Sequence, residues 1–328
     1  MKRRSLLHAG TAALAGAALG FGNAAPARAA AFPSRPVRIV VPVAAGGSAD
    51  KLARVLGQRL SDQWKQTVVV DNVPGASSSI GTAQVVRSPG DGHTLLLGGD
   101  QLSVAASLGV TLPYDATKDL KGVIKAVVNP QLLVVRPGLG VASFDDYVKL
   151  LKSRPGKVSL ALPSGRGSLQ HLAVEMLNGR LGTRTNNIPY PGGGPATLDV
   201  LGGHIDAMLI TLAAATENVR AGKLIGLAVT TPARSKALPD VPTLQELGVS
   251  GYAVESWQGL LAPSATPAAV IEQLNQETAR ILREPDIARQ LEDLGFNIVA
   301  TSPTDVDRTI VRDIGVYRQV VASAQIRV

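Results

Sequence analysis

The chain predicts an α/β protein of two domains, each a mostly parallel sheet flanked by helices. Three observations carry that prediction. Short β-branched runs alternate with amphipathic helical stretches almost throughout the 328 residues. About 300 residues remain once an export leader is set aside, a length that suits two domains. Two apolar segments far apart in the chain, each followed by a proline break, read as crossings between those domains.

The leader comes first. Lys2, Arg3 and Arg4 open the chain, an Ala/Gly/Leu-rich apolar run follows from Leu6 to Phe21, and Ala27-Arg28-Ala29 is a small-x-small cleavage site. The run is too short and too glycine-rich for a stable membrane span, so residues 1–29 read as a signal peptide removed near Ala29 and the mature protein as periplasmic. Arg3-Arg4-Ser5-Leu6-Leu7 also resembles a twin-arginine signal, which leaves both export routes open.

Strands are expected at Val37–Val41, Thr67–Asp71, Thr94–Gly98, Val123–Val128, Leu132–Val135, Val158–Leu162, Ile205–Ile210, Leu224–Val229 and Ser256–Ala262. Leu52, Val55, Leu56 and Leu60 recur at helical spacing, as do Ile271, Leu274, Thr278 and Ile281. Ser143 with Asp146 is a capping-box pattern, Thr266-Pro267 an N-cap followed by a first-turn proline, and Gly202-Gly203 closes a helix that begins near Pro195. Breaks after Leu132–Val135 and at Pro263 divide the mature chain. Domain one is expected at 30–134 plus 257–328, domain two at 135–256, with a ligand cleft between them.

Composition excludes several functions. There is no cysteine, so disulfides, thiolate metal sites and cysteine nucleophiles are out. His93, His171 and His204 show no close metal spacing, and no metal or cofactor is expected. Lys2, Arg3, Arg4 and Arg28 leave with the leader and no acid does, so the formal charge falls from +8 to +4. That mild balance suits an acidic ligand, and no basic cluster interleaved with aromatics points to nucleic acid.

Five loops between strands and helices are the candidate walls of a site. In the first, Gly46 and Gly47 follow Val43 and Ala44, with Ser48 as the expected N-cap and Asp50 as a cap or dipole partner in the first turn. In the second, Ser77, Ser78 and Ser79 follow Pro74-Gly75 and offer hydroxyls that bind a carboxylate without adding charge. The third is Gly98-Gly99-Asp100-Gln101, which a simple turn also explains. The fourth, Ser164-Gly165-Arg166-Gly167-Ser168, repeats the glycine, hydroxyl and helix design. Arg166 adds a forked cation there, and His171 one turn on reads as structural. The fifth places Gly192, Gly193 and Gly194 between Pro191 and Pro195. Each loop ends a strand and exposes helix N-terminal N–H groups, the arrangement that captures an anion.

With these residues in view, the chain resembles the substrate-binding receptors of tripartite tricarboxylate transporters, the TctC or Bug-type family. Phe32–Arg38, Val41–Asp50, Asp71–Ala76, Asp91–Leu96, Leu112–Asp115, Pro189-Tyr190, Leu201–Gly203, Arg220–Lys223, Ala237–Thr243 and Ser256–Pro263 resemble its motifs in order. The resemblance implies a two-domain, type II-like Venus-flytrap receptor without catalysis. It binds small carboxylates through backbone N–H groups, hydroxyls and water, and delivers them to a membrane permease. This chain departs from the pattern at Val43, Ala44 and Ala45, where the first wall becomes smaller. Serines at 77–79 replace usual glycines, Arg166 replaces a neutral residue, and Ile210 replaces a polar one, often Asp. An ammonium group would therefore lack a counter-charge at Ile210, and Arg166 favours a second acidic group on the ligand, so a dicarboxylate, or a carboxylate with an apolar body packed near Ile210, is expected over an amino acid.

A helix N-terminus contributes roughly 0.3–1 kcal/mol to an anion, up to ~2 when partly buried. Three such ends give at most ~6 kcal/mol, against about 8 kcal/mol for a micromolar ligand. Direct hydrogen bonds and exclusion of water by a closing cleft must contribute the rest. Presentation of ligand to a membrane sensor kinase is the alternative function. An exported hydrolase is disfavoured because Gly165–Leu169 lacks a nucleophile elbow. A nicotinamide enzyme is disfavoured because the first loop has no Gly-x-Gly-x-x-Gly. A monomer is expected, since a closing receptor needs a free cleft.

Overall fold

The computed structural model describes residues 32–323, and the leader read over residues 1–29 lies outside them. Strands and helices alternate from β1 (Val37–Val41), α1 (Ser48–Trp64), β2 (Val68–Asn72), α2 (Ser79–Val86), β3 (Thr94–Gly99) and α3 (Asp100–Ser107) into β4 (Leu120–Val135). The alternation continues with α4 (Phe144–Ser153), β5 (Ser159–Leu162), α5 (Leu169–Leu181), β6 (Asn186–Pro189), α6 (Gly193–Leu201), β7 (Ala207–Thr211), α7 (Leu212–Arg220) and β8 (Ile225–Val229). The chain then runs through β9 (Glu255–Pro263), α8 (Ala268–Leu282), α9 (Pro285–Leu294), β10 (Asn297–Ile298) and α10 (Pro303–Ser323).

The strands join in the order β2-β1-β3-β9-β4-β7-β5-β6, with β8 and β10 also on β4. Pairing is parallel where β1 meets β2 and β3, and where β5 meets β6 and β7. Antiparallel pairs enter through β4 and β9. The two runs expected at Val123–Val128 and Leu132–Val135 are one strand of 16 residues. Asn129-Pro130-Gln131 looks like a break in the sequence because it is polar and contains a proline. In the fold it is where β4 changes partners, bonding β9 up to Pro130 and β7 and β8 from Gln131 onward. A proline lacks a donor, so it is tolerated at such a switch. Asn129 and Gln131 are fully buried, and the N–H of Gln131 donates to Thr230 Oγ1 at 2.9 Å.

Local signals succeed where backbone chemistry decides. Ser143 and Asp146 form a reciprocal capping box at α4, and α6 ends at Gly202. Elsewhere the boundaries shift. α8 starts at Ala268 with Pro267 itself at the cap, not Thr266. Gly47, not Ser48, caps α1, because the Ser48 hydroxyl is engaged across the site. α3 forms from Asp100 onward, at the loop that a simple turn would also explain, and its buried Leu102 and Val104 supply the reason.

On one face of the β1–β3 sheet, Ile39 and Val41 pack with Leu52, Leu56 and Leu60, the four-residue rhythm of α1. Each buried leucine contributes roughly 1.5–3 kcal/mol. A second core joins Phe144, Tyr147 and Leu151 of α4 to Leu160 and Leu162 of β5. Tyr317, Val320 and Val321 near the end of α10 pack against that second core, while Val306 and Ile310 at its start belong to a cluster with β3 and β9.

Glycines set how closely the loops above the sheet approach one another. The N–H of Ala44 donates to Pro191 O at 3.1 Å. A Cβ at Gly194 would sit 2.1 Å from Ala45 O, and one at Gly192 would sit 2.8 Å from Ala44 N. The first and fifth candidate loops therefore mate backbone to backbone, which no side chain would permit.

Gly194→Ala should push these loops apart and lower the melting temperature, read by calorimetry. In the sheet, a Cβ at Gly259 would lie 2.0 Å from Ile124 O. Gly259→Ala should therefore destabilise by about 1–3 kcal/mol or more. Gly179→Ala in α5 meets nothing within 4 Å and should stabilise by about 0.5–1 kcal/mol. Denaturant midpoints of the two variants should move in opposite directions.

Candidate functional site

A cavity of about 70 Å³ lies beyond the carboxyl ends of the strands, where ligands of open α/β sheets are found. Six helices begin at its wall. Gly47 and Ser48 start α1, Ser78 precedes α2, Asp100 starts α3, Ser168 caps α5, Gly193 starts α6 and Thr211 precedes α7. Of the six N-caps, only Ser168 satisfies a helix N–H with its own side chain, accepting from His171 N at 3.2 Å. Gly47, Ser78, Gly99, Gly192 and Thr211 make no side-chain cap. At these five ends no N-cap side chain covers the first-turn N–H groups, although Asn129 Oδ1 accepts from Ala213 N of α7 at 3.3 Å and the Asp100 carboxyl from its own N–H, and together the helix ends form a field that favours an anion.

Two loops are held open by one device. Asp50 Oδ2 accepts from Gly46 N at 3.0 Å, and His171 Nδ1 accepts from Gly167 N at 3.1 Å. In each case the third residue of the helix grips the glycine four places before it. Burial pulls the Asp50 pKa upward, but Arg54 and the Gly46 N–H outweigh it and hold the carboxyl below its usual value. Burial lowers the His171 pKa, so the ring is neutral at pH 7 and its Nδ1 can accept. Both side chains position backbone, in line with the structural roles expected for them.

The second loop reaches the cavity through strained backbone. Ala76, Ser77 and Ser78 have φ of 45°, 49° and 79°, left-handed values that favour glycine. This suits the glycines that the resemblance implies at 77 and 78, but not the one at 79, where Ser79 has φ −68°. Serine adds what glycine lacks: Ser77 Oγ donates to Arg166 O at 3.0 Å, tying the second loop to the fourth.

The cavity gathers Val43, Gly47, Ser48, Ser78, Asp100, Gln101, Ser164, Ser168, Gly193 and Ile210 from the expected set. Ala44, Gly46, Ser79, Gly165, Arg166, Gly167 and Gly192 are not on its wall. Ala44 and Gly192 face each other, and Gly46 approaches Gly194. Arg166 is exposed, so the cation expected to select a second acidic group lies outside the cavity.

Sequence reasoning missed Gln170, Thr211, Ser256 and Gln258, all buried on the wall. Ser48 Oγ accepts from Thr211 Oγ1 at 2.8 Å and from Gln258 Nε2 at 2.7 Å. Gln258 Oε1 is buried without a partner among the described residues. Gln170 Nε2 donates to Gln131 Oε1 at 3.0 Å. A signal existed: Ser256 and Gln258 alternate on an otherwise apolar buried strand, the period at which side chains share one face.

The wall carries no Lys, Arg or His, and Asp100 is its only ionisable side chain. Burial pushes the Asp100 carboxyl up to about 7, and the charge of Asp313 adds to the rise, while N–H groups of Asp100 and Trp257 oppose it. The apolar part of the wall is Pro42, Val43, Leu97, Pro163, Leu169 and Ile210. Among the described residues no His/Asp/Glu cluster has the makings of a metal site.

Known proteins match this chain along most of its length. Residues 52–324 match the tripartite tricarboxylate transporter family receptor profile. Protein BugT of Bordetella pertussis is 37% identical over 294 residues, covering 89% of this chain and 90% of BugT. The structure of the periplasmic binding protein BugD is 32% identical with a TM-score of 0.86, covering 90% of this chain and 99% of that one. The structure of R. palustris Rpa4515 with adipate is also 32% identical, with a TM-score of 0.87 and the same coverage. BugD is a periplasmic binding protein, and both solved structures share the α/β fold described above. The chain belongs to the tripartite tricarboxylate transporter receptor family.

Proposed function

We propose that this receptor captures a small carboxylate in the periplasm and delivers it to the membrane permease of a tripartite tricarboxylate transporter. One observation carries the reading: six helix N-termini converge on one buried cavity whose wall has no basic side chain. Backbone N–H groups then supply the attraction that Lys or Arg would otherwise supply. Six ends give roughly 2–6 kcal/mol at 0.3–1 kcal/mol each, against about 8 kcal/mol for micromolar affinity. Hydroxyls of Ser78 and Ser164 and the amide of Gln258 are placed to supply hydrogen bonds for the remainder.

The ligand class is a dicarboxylate or a carboxylate with an apolar body. Ile210, Val43 and Leu97 form the apolar side of the cavity, and adipate in the Rpa4515 structure is a dicarboxylate. A buried cavity requires a door. We take residues 30–134 with 257–328 as one lobe and 135–256 as the other. The leader is cleaved near Ala29, and the lobes close over ligand through the loop contacts Ala44–Pro191 and Ser77–Arg166.

A thermal-shift screen against dicarboxylates, acidic amino acids and aromatic acids tests the reading. A ligand at 100 times its Kd stabilises by about 2.7 kcal/mol, which raises the melting temperature by a few degrees. A deaminated acid should shift it more than the matching amino acid; the reverse order would overturn the preference for a dicarboxylate or apolar acid over an amino acid. Ser48→Ala strips the shared acceptor from Thr211 and Gln258, and should weaken binding of the best acid about tenfold by calorimetry, the loss of one buried hydrogen bond.

A further inference from the structure

The cavity presents an electrostatic conflict. Its wall attracts an anion through backbone N–H groups, yet its one ionisable side chain is an acid. Asp100 is 8% exposed at the first residue of α3. A second acid, Asp313 of α10, is also buried and acts on Asp100 through space. With Asp100 ionised, a carboxylate would enter a small buried space already holding like charge, and the wall has no Lys, Arg or His to offset it.

We propose that the receptor binds its carboxylate together with a proton, which is held on Asp100. The inference rests on the carboxylate reading above. A neutral Asp100 removes the repulsion. Binding is then a linked reaction in which anion and proton enter together. Deprotonated protein must first take up a proton from solvent, and that step weakens the observed affinity as pH rises.

The other charged groups near Asp100 are accounted for. On α10, Asp313 is paired with Arg312 at 2.7 Å, and the Tyr317 hydroxyl is pushed up by burial and by both acids. On β4, the Lys125 pKa is lowered by burial and its nearest charges are Arg312, Asp313 and Glu255. On α5, His171 accepts from Gly167 N and lies 3.8 Å from Glu175; burial lowers its pKa, so it stays neutral above pH 7. On α1, Asp50 is bound by Arg54 and is held below its usual value. Near pH 7, Asp100 is the group in position to exchange a proton, since burial places its carboxyl at about 7.

The sign follows. Below about pH 7 the free protein already carries the proton, and Kd is flat. Above it, each pH unit weakens binding by up to tenfold, until the raised pKa of the complex is reached. Calorimetric titration of the protein with adipate, succinate and benzoate, in two buffers of different ionisation enthalpy, measures this directly. Carboxylic acids of this kind stay ionised well above their pKa of about 4, so the ligand contributes no proton change in the window. Expected is uptake approaching one proton per ligand at about pH 8, with a falling affinity from about pH 7 to about pH 9. Asp100→Asn, which donates without ionising, should bind with a pH-flat Kd and no uptake.

A pH-flat Kd in the unaltered protein overturns the proposal, and so does release of a proton on binding. If none of the three acids binds at either end of the pH range, the carboxylate reading fails and the proposal with it. An independent readout needs no ligand. The folded protein holds the Asp100 proton between about pH 4 and about pH 7 and the unfolded chain does not. Unliganded stability should therefore fall across that window relative to Asp100→Asn.

Discussion

The site depends on leaving backbone donors unsatisfied at the start of several helices. A helix N-cap with a Ser, Thr, Asp or Asn side chain ordinarily stabilises by about 0.5–2 kcal/mol. Five of the six helices around the cavity forgo that contribution. Glycine stands at three of those caps, where no side chain can reach the N–H groups. At the fourth, Ser78 is left-handed and points its backbone out of capping geometry. At the fifth, Thr211 gives its hydroxyl to Ser48. The open donors cost helix stability and serve the anion, so the cores described above must supply the deficit.

Convergence of these ends follows from topology. Parallel strands set their carboxyl ends at one edge, and the helices that follow must begin there. β1, β2, β3, β5, β6 and β7 each lead into such a helix, three on each side of the long strand β4. β4 and β9 run antiparallel through the middle and contribute from the opposite direction. They place Ser256 and Gln258 on the cavity wall as a buried polar floor, with Gln131 behind it holding Gln170. This explains why the floor is made of amides and a hydroxyl with no charged group. Such groups orient a ligand while leaving the helix field undiminished.

Most of the walls could be read from the sequence, and most of the floor could not. Glycine next to a hydroxyl after an apolar run is a local pattern, and it marked Gly47, Ser48 and Ser168, which lie on the cavity wall. The pattern could not separate glycines that face the cavity from those that face another loop. Gly192 and Gly46 belong to the second kind, because the two loops touch only after distant strands have paired. Arg166 misled for a related reason. Its side chain has reach enough for a carboxylate, but its backbone carbonyl is held by Ser77, and the side chain is exposed. Gln170 and Gln258 depend on which face of an element is buried, and in apolar runs polarity alone does not mark function. β4 shows the same limit for the fold, since Pro130 marks a change of partner and not the end of a strand.

Ionic groups around the cavity are arranged so that none of them competes with the helix field except one. Asp50 would repel an anion, but it is bound to Arg54 and to the Gly46 N–H. Its counterpart in the fourth loop, His171, performs the same grip on Gly167 as a neutral ring. One position therefore uses a compensated charge and the other uses none, and the local field is nearly the same in both. Lys51 behaves likewise, since Glu217 and the Ala213 carbonyl hold its ammonium. Asp100 alone has no cation paired with it among these contacts, and its nearest charged influence is another acid. A lone buried carboxyl is tolerated in a fold only if it can be neutral. In a cavity built from positive backbone ends, that neutrality serves the ligand and the fold alike.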